Sequence, residues 1–92
     1  MNRDLLALRL ERAYDAGEDA RRVVVRQAGD LHDSGRYNET HEAELTAETV
    51  IENLADAPEE YGLIDRWNWW IGALEVAHEG YRQFLIREWA IE

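Results

Sequence analysis

The feature that most constrains the fold is the spacing of apolar residues, which follows steps of four and three along two long segments. The members of the first series are Leu6, Leu10, Ala13, Gly17, Ala20, Val24, Gln27 and Leu31. The members of the second are Leu63, Trp67, Trp70, Leu74, Ala77, Tyr81 and Phe84. This spacing gathers apolar side chains on one face of an α-helix. The sequence therefore predicts an all-α fold, a single helical domain over residues 1–92 with two long antiparallel helices.

The first long helix is predicted from Asn2 or Arg3 to Ser34, and Gly35 is expected to end it. Gly17 lies inside this helix, where glycine costs about 1 kcal/mol relative to alanine. Because the apolar series continues through Gly17, the sequence favours one long helix. A break at Gly17 is the alternative.

The middle of the chain predicts a loop followed by a short connecting helix. Residues 35–45 are polar and poorly periodic, which is typical of a loop. Thr46 is a suitable N-cap, and Val50, Ile51 and Leu54 give the helix after it an apolar face. Pro58 is expected to end this helix, because the residue before a proline disfavours the helical conformation.

The second long helix, predicted from Leu63 to about Ala90, carries a further apolar strip beside its main series. The members of the strip are Trp69, Ala73, Val76 and Gly80. Two apolar strips on one helix need two neighbours, and a homodimeric helical bundle would supply the second. We expect these residues, together with Trp89 near the C-terminus, to form the dimer interface. The alternative is that the short helix after Thr46 covers the strip within one chain.

The charges are strongly unbalanced. Twenty acidic residues stand against ten basic ones, all of them arginine, and the net charge is −10. An acid-rich, lysine-free composition resembles that of small haloarchaeal proteins, which work in molar salt. This resemblance implies a surface adapted for solubility, in a solvent whose Debye length is about 3 Å or less. The chain also lacks cysteine, a signal-peptide pattern and an apolar run long enough to span a bilayer, so we expect a cytoplasmic protein without a membrane partner.

A metal site is one functional hypothesis, carried by Glu75 and His78. Their Glu-x-x-His spacing puts both side chains on one helical face, as in di-iron helical bundles. The chain has one copy of this motif, which a homodimer would double, but the inner face of the first helix offers no carboxylate. A histidine that is satisfied by a neighbour such as Glu75 or Arg82 is the simpler interpretation. We therefore expect no cofactor and keep a metal-binding bundle as an alternative function.

The remaining polar residues do not identify an enzyme. His32 and His41 are surrounded by acids, and solvated loops are the expected setting for both. The sequence after His41 lacks the second histidine of the zinc hydrolase signature. Ser34 is the only serine, and no nucleophile or phosphate-loop motif surrounds it.

A DNA-binding regulator is a third hypothesis, suggested by the clustered arginines of the first helix. Two of them belong to a surface ladder of opposite charges four residues apart: Glu18, Arg22, Arg26 and Asp30. The helix after Thr46 would offer Glu48 and Glu52 to DNA, and these side chains repel phosphate. Phosphate binding also weakens steeply as salt rises. Nucleic acid is therefore an unfavoured partner.

The run from Arg66 to Trp70 suggests binding of a protein, because arginine and tryptophan are enriched in binding hot spots. Trp67 and Trp70 belong to the main apolar series and are expected in the core. Trp69 points away from that series and is expected at an interface. The leading hypothesis is a non-enzymatic protein–protein interaction or regulatory module, which associates with itself or with another protein. Its surface would be the Trp69 strip or the helix after Thr46.

Overall fold

The computed structural model describes residues 1–87 of the 92-residue chain, and every regular element in that range is helical. The elements are α1 (Arg3–Ala13), α2 (Glu18–Ser34), α3 (Arg36–His41), α4 (Ala47–Ala55), α5 (Leu63–His78) and a 3₁₀ helix (Arg82–Phe84). The prediction of an all-α fold is confirmed. None of the helices described is both long enough and apolar enough to cross a membrane.

The first predicted helix is in fact an antiparallel hairpin of α1 and α2. Tyr14 ends α1 in an extended conformation (φ −133°, ψ 136°), and an extended Gly17 precedes α2. The far end of the hairpin is fastened where Arg3 Nη2 donates to Asp33 Oδ2 at 2.8 Å. The prediction of one continuous helix is therefore wrong, and the alternative of a break at Gly17 is confirmed.

Packing explains why the chain turns back between the two helices. In the hairpin, Leu6 and Leu10 of α1 are fully buried together with Val24 of α2, whereas a continuous helix would carry the leucines away from α2. The Arg3 guanidinium lies against Gly29, in the space that a Cβ atom would take. Burial of these apolar side chains stabilises the hairpin. It offsets the cost of the unpaired backbone groups at the two helix ends that the break creates.

The segment after α2 holds a short helix in place of the predicted loop. Gly35 ends α2 in the left-handed conformation (φ 75°), as expected, but α3 follows directly from Arg36 to His41. Tyr37 is buried, and the Thr40 hydroxyl lies 2.6 Å from the hydroxyl of Tyr81. These long-range contacts stabilise a helix that the polar sequence does not signal by its own periodicity. The predicted loop is therefore wrong over residues 36–41.

The short helix after Thr46 forms as predicted. The Thr46 hydroxyl accepts a hydrogen bond from the backbone N–H of Thr49 at 3.1 Å and caps α4. Val50 and Leu54 are fully buried, and α4 packs against α1 and α5. The helix ends at Ala55, three residues before Pro58.

The last helix begins at Leu63 as predicted but ends at His78, well before Ala90. Glu79 and Gly80 have positive φ angles of 61° and 85°, and they turn the chain out of the helical path. Tyr81 is then fully buried, and Phe84 follows it into the core. A continuous helix would have carried these two rings past the neighbouring helices, so burial favours the turn. The predicted helix is wrong beyond His78.

Most members of the two apolar series do form the core, whatever the element that carries them. The buried members are Leu6, Leu10, Val24, Leu31, Leu63, Trp67, Trp70, Leu74, Tyr81 and Phe84. Ala13 and Gly17, which lie at the break between α1 and α2, are exposed. The apolar spacing therefore predicted burial better than it predicted helix length.

Candidate functional site

Trp67 is the centre of the core and a fastening point for the end of the described chain. Its side chain is fully buried on α5. Its indole Nε1–H donates to the backbone carbonyl of Phe84 at 2.8 Å. The ring therefore fills the core and holds the 3₁₀ helix against α5.

Asn68 fastens the same segment with both ends of its amide. Its Nδ2 donates to the carbonyl of Ile86 at 2.8 Å, and its Oδ1 accepts from the N–H of Ile86 at 2.8 Å. This two-point pairing imitates the way in which one backbone strand bonds to another. Asn68 is thus occupied by the fold, and sequence reasoning gave it no role.

Trp70 and Arg66 are also used inside the chain. Trp70 is buried with its ring edge-on to Trp67, at 5.5 Å between centroids and an interplanar angle of 82°. The Arg66 guanidinium donates to the backbone carbonyls of Leu54, Glu59 and Tyr61. The core positions predicted for Trp67 and Trp70 are confirmed. Arg66, by contrast, is a structural residue rather than part of a binding surface.

Trp69 differs from its neighbours, because 37% of its surface is exposed. It lies with Tyr61, Asp65 and Asn68 around a shallow pocket of about 460 Å³. Ala73 and Val76 continue the same side of α5 by helical spacing, and Val76 is 88% exposed. We call the surface formed by Tyr61, Asp65, Trp69, Ala73 and Val76 the Trp69 face.

The predicted strip is therefore present only in part. Trp69, Ala73 and Val76 share one side of α5, and they stay exposed because α4 does not cover them. The alternative that α4 buries the strip is wrong. Gly80 does not belong to the strip, since it lies beyond the helix, where a Cβ atom would come within 3.0 Å of the Arg36 guanidinium. Trp89 lies outside the described residues.

The Trp69 face carries charge of a single sign. Asp65 is exposed beside Trp69, and the two residues before Tyr61, Glu59 and Glu60, are exposed as well. No arginine lines the pocket in the part of the chain that the structure describes. An incoming group therefore meets an indole surface with carboxylates around it.

Comparison with known proteins assigns the chain to a family. A family model called the WNWW domain matches residues 1–75 of the chain, and residues 67–70 spell those four letters. The chain belongs to the WNWW domain family. No curated protein and no solved structure matches the chain. The three WNWW residues described above as buried or bonded serve the fold, and Trp69 is the fourth.

The proposed metal ligands of this WNWW domain have other contacts. Glu75 Oε1 accepts a hydrogen bond from the backbone N–H of Tyr81 at 2.8 Å, which stabilises the turn after α5. His78 lies edge-on to His41, with 4.9 Å between ring centroids. Within residues 1–87 there is no group of three side chains that could hold a metal ion. Metal binding at Glu75 and His78 stays a prediction with two candidate ligands.

The other two histidines are placed by helices and not by solvated loops. His41 is the last residue of α3, and its ring stacks on Tyr37 at 4.0 Å. His32 lies in the last turn of α2, with Nδ1 at 3.1 Å from Asp33 Oδ1 and Nε2 at 3.0 Å from Glu44 Oε1. Hydrogen bonds to Glu44 and then Asp33 raise the pKa of His32 above its ordinary value. The expectation of solvated loops is wrong for both residues.

α4, the helix considered for DNA recognition, has an acidic exposed side. Glu48 and Glu52 are exposed on α4, and Arg9 Nη1 lies 3.2 Å from Glu48 Oε2. On α2, Arg22 pairs with Glu18 at 3.0 Å as the predicted ladder requires. α4 contains no arginine that could hold phosphate, and the arginines considered for DNA binding, Arg21, Arg22 and Arg26, lie on α2 among acids.

The sequence suggested a binding role for Arg66 and none for Asn68, because the partners of both are backbone groups far along the chain. Arg66 reaches carbonyls up to 12 residues away, and Asn68 reaches Ile86 over 18 residues. No local spacing signals such contacts. The one available signal was the position of an arginine and an asparagine on either side of Trp67, a tryptophan expected in the core, where a polar group needs partners.

Proposed function

We propose that this WNWW domain is a non-enzymatic protein–protein interaction module that docks a partner through the Trp69 face. One observation supports the proposal: Trp67, Asn68 and Trp70 are used by the fold, whereas the indole of Trp69 stays 37% exposed. A tryptophan contributes much to an interface, because it buries a large area and loses little conformational freedom. Exposed Tyr61 and Val76 widen the apolar surface that a partner could cover.

The charge around the Trp69 face indicates the chemistry of the partner. Asp65 lines the pocket beside Trp69, the exposed Glu59 and Glu60 directly precede Tyr61 in the chain, and the whole chain carries −10. We infer that the docked segment offers an arginine or lysine beside an apolar side chain. The cation would lie between Asp65 and the face of the Trp69 ring. A second copy of the same face fits less well, because it would set acid against acid.

The setting that we propose is a salty cytoplasm, which is supported by the acid-rich, lysine-free composition. Above about 1 M salt the Debye length falls to about 3 Å or less, so exposed charges attract weakly. Under those conditions the apolar contact with Trp69 and Val76 supplies most of the affinity. The neighbouring carboxylates then select the orientation of the partner.

The proposal is tested by photo-crosslinking in the native host at its own salt concentration. A photoreactive phenylalanine analogue replaces Ala73, which is exposed beside Trp69, and a control chain carries it at Glu52 on α4. We expect a crosslinked band from position 73 that is absent from position 52. Trp69→Ala should abolish the band, and Asp65→Asn should weaken it.

The matched control is Leu8→Asp, a change to an exposed apolar residue on α1, which should leave the band intact. A band that survives Trp69→Ala would refute the proposal, and so would equal bands from positions 73 and 52. A band at twice the mass of the chain would show self-association through this face instead. That result would restore the interface expected from the sequence and exclude the cationic partner.

A further inference from the structure

The second exposed apolar surface lies on the hairpin of α1 and α2. A groove of about 630 Å³ runs between the two helices, on the side away from the core. α1 lines it with Asp4, Leu8 and Glu11, and α2 lines it with Arg22, Val25 and Arg26. We call this surface the hairpin groove.

Around the apolar centre of the hairpin groove the nearest charges are acids on α1 and arginines on α2, while Arg3 on the first wall and Glu18 and Asp30 on the second carry the other sign. On α1, Leu8 lies between two acids, and on α2, Val25 lies between two arginines. No ion pair joins Asp4 or Glu11 to Arg26 within residues 1–87, where Arg22 pairs with acids of its own helix. Complementary rows therefore face one groove without meeting across it.

The groove also has a balance of charge that the chain as a whole does not have. Four arginines and four acids line it, whereas the chain has twice as many acids as basic residues. Two copies of the chain that meet here would not add a surplus of like charges at the contact itself. The groove is thus the described surface on which another acidic chain can best be placed.

Two leucines supply the apolar part of the same surface. Leu5 and Leu8 of α1 are 41% and 43% exposed, and they are neighbours at a spacing of three residues. They form a ridge beside the groove, and Ala7 and Val25 form its floor. A ridge and a groove on the same surface can fit each other in two copies related by a two-fold axis.

We propose that two copies of the chain associate through the hairpin groove. A two-fold axis parallel to the hairpin sets α1 of each copy against α2 of the other. The acids beside Leu8 then meet the arginines beside Val25, and the leucine ridge of each copy enters the groove of the other. The result is a four-helix interface of two hairpins. The Trp69 face, which lies on α5, stays open for the partner proposed above.

Analytical sedimentation, which measures the mass of the full chain in solution, tests this proposal. It is done at about 0.2 M and about 2 M salt, which screen the charges of the groove to different extents. We expect the unmodified chain to have twice the 10.7 kDa of a single chain. Leu8→Asp should give a single chain, because it places a charge in the apolar centre. Arg26→Glu should weaken association about tenfold, and adding Glu11→Arg should restore it by exchanging the charges. Arg87→Glu is a matched control of equal charge change on an exposed residue outside the groove.

Helical circular dichroism verifies that each variant is folded. A single chain at every concentration of the unmodified protein would overturn the proposal. It would also be overturned by association that survives both Leu8→Asp and Arg26→Glu. Loss of association in Trp69→Ala would assign the dimer to the other face. The crosslink from position 73 should persist in Leu8→Asp, so this proposal and the proposed function can fail separately.

Discussion

The two sides of α5 differ in how completely the chain itself uses them. On the inner side, Trp67 and Trp70 are buried, and within residues 1–87 no buried polar side-chain atom lacks a hydrogen-bond partner. On the outer side, Trp69 and Val76 are exposed, and no helix within the described residues covers them. Residues 67 and 70 share one side of a helix, whereas residue 69 lies on another. A single run of four residues therefore combines folding with a surface.

The fold uses the tryptophan at position 69 only in part, since 37% of the residue stays exposed whereas Trp67 is fully buried. An exposed site on a helix accepts many residues, and alanine, glutamate or arginine forms a helix more readily than tryptophan does. An exposed indole also keeps a large apolar area in contact with water. Docking of a partner removes that area from water, which is the reason we give for its presence.

The largest expected effect is on the inner side of α5. Trp67→Ala should lower the free energy of unfolding by about 3–5 kcal/mol, because it leaves a cavity at the centre of the core. Trp67→Phe should cost less, about 1–3 kcal/mol, since it keeps a ring but leaves the Phe84 carbonyl without its donor. Urea unfolding followed by circular dichroism measures both. An unfolding midpoint of Trp67→Ala equal to that of the unmodified chain would contradict the proposed difference between the inner and outer sides of α5.

The sequence predicted the inner side of α5 well because burial there follows local periodicity. The start of α4 at Thr46 and the end of α2 at Gly35 were also predicted, since an N-cap and a left-handed C-cap depend on the chemistry of single residues. The end of α5 had a similar local signal in Gly80, which has a positive φ as Gly35 does. The apolar series that continues to Tyr81 and Phe84 outweighed it, because the burial of these rings outside a helix depends on elements distant in sequence. The break at Gly17 had a local signal, but the hairpin that it permits is decided by packing between α1 and α2.

The candidate site was predicted in outline and not in its surroundings. Trp69 was expected on an exposed side from its angle around the helix, and the structure agrees. The hairpin groove could not be predicted, because a single long helix would have separated its two walls. The charged residues of α1 and α2 line one groove only after the chain folds back.

An intermediate effect is expected at Asn68, which links the inner side to the end of the described chain. Asn68→Ala removes both hydrogen bonds to Ile86 and should cost about 1–3 kcal/mol. Hydrogen exchange should accelerate at the amide of Ile86 more than at amides of α4. Asn53→Ala is a matched control, since its amide makes one local bond to the Thr49 carbonyl. Equal protection of Ile86 in both variants would contradict the fastening role.

The smallest effect is expected at His32, far along the chain from α5. The raised pKa of His32 means that its protonated form stabilises the fold at pH values below the ordinary pKa. This contribution is lost as pH rises through the raised pKa. Asp33 and Glu44 have lowered pKa values because of their hydrogen bonds to His32, so both stay charged there. The Met1 amino group, 3.3 Å from Nε2, opposes protonation.

The stability difference between the unmodified chain and His32→Gln should therefore shrink as pH rises from below the ordinary pKa of histidine through the raised pKa of His32. Thermal unfolding at several pH values measures it. The crosslink from position 73 should not follow the same pH dependence, which sharpens the separation of folding from docking. A difference that grows with pH would mean that neutral His32 is the stabilising form.

The most direct test of whether Trp69 serves a partner measures two properties of Trp69→Ala: the stability of the purified chain and its crosslinking in the host. We predict that Trp69→Ala lowers the free energy of unfolding by about 1–2 kcal/mol, clearly less than Trp67→Ala does, because the chain covers part of the ring and leaves 37% of the residue exposed. We also predict that it loses the crosslinked band from position 73. A loss of stability comparable to that of Trp67→Ala, or a band of unchanged strength, would show that Trp69 serves the fold and not a partner.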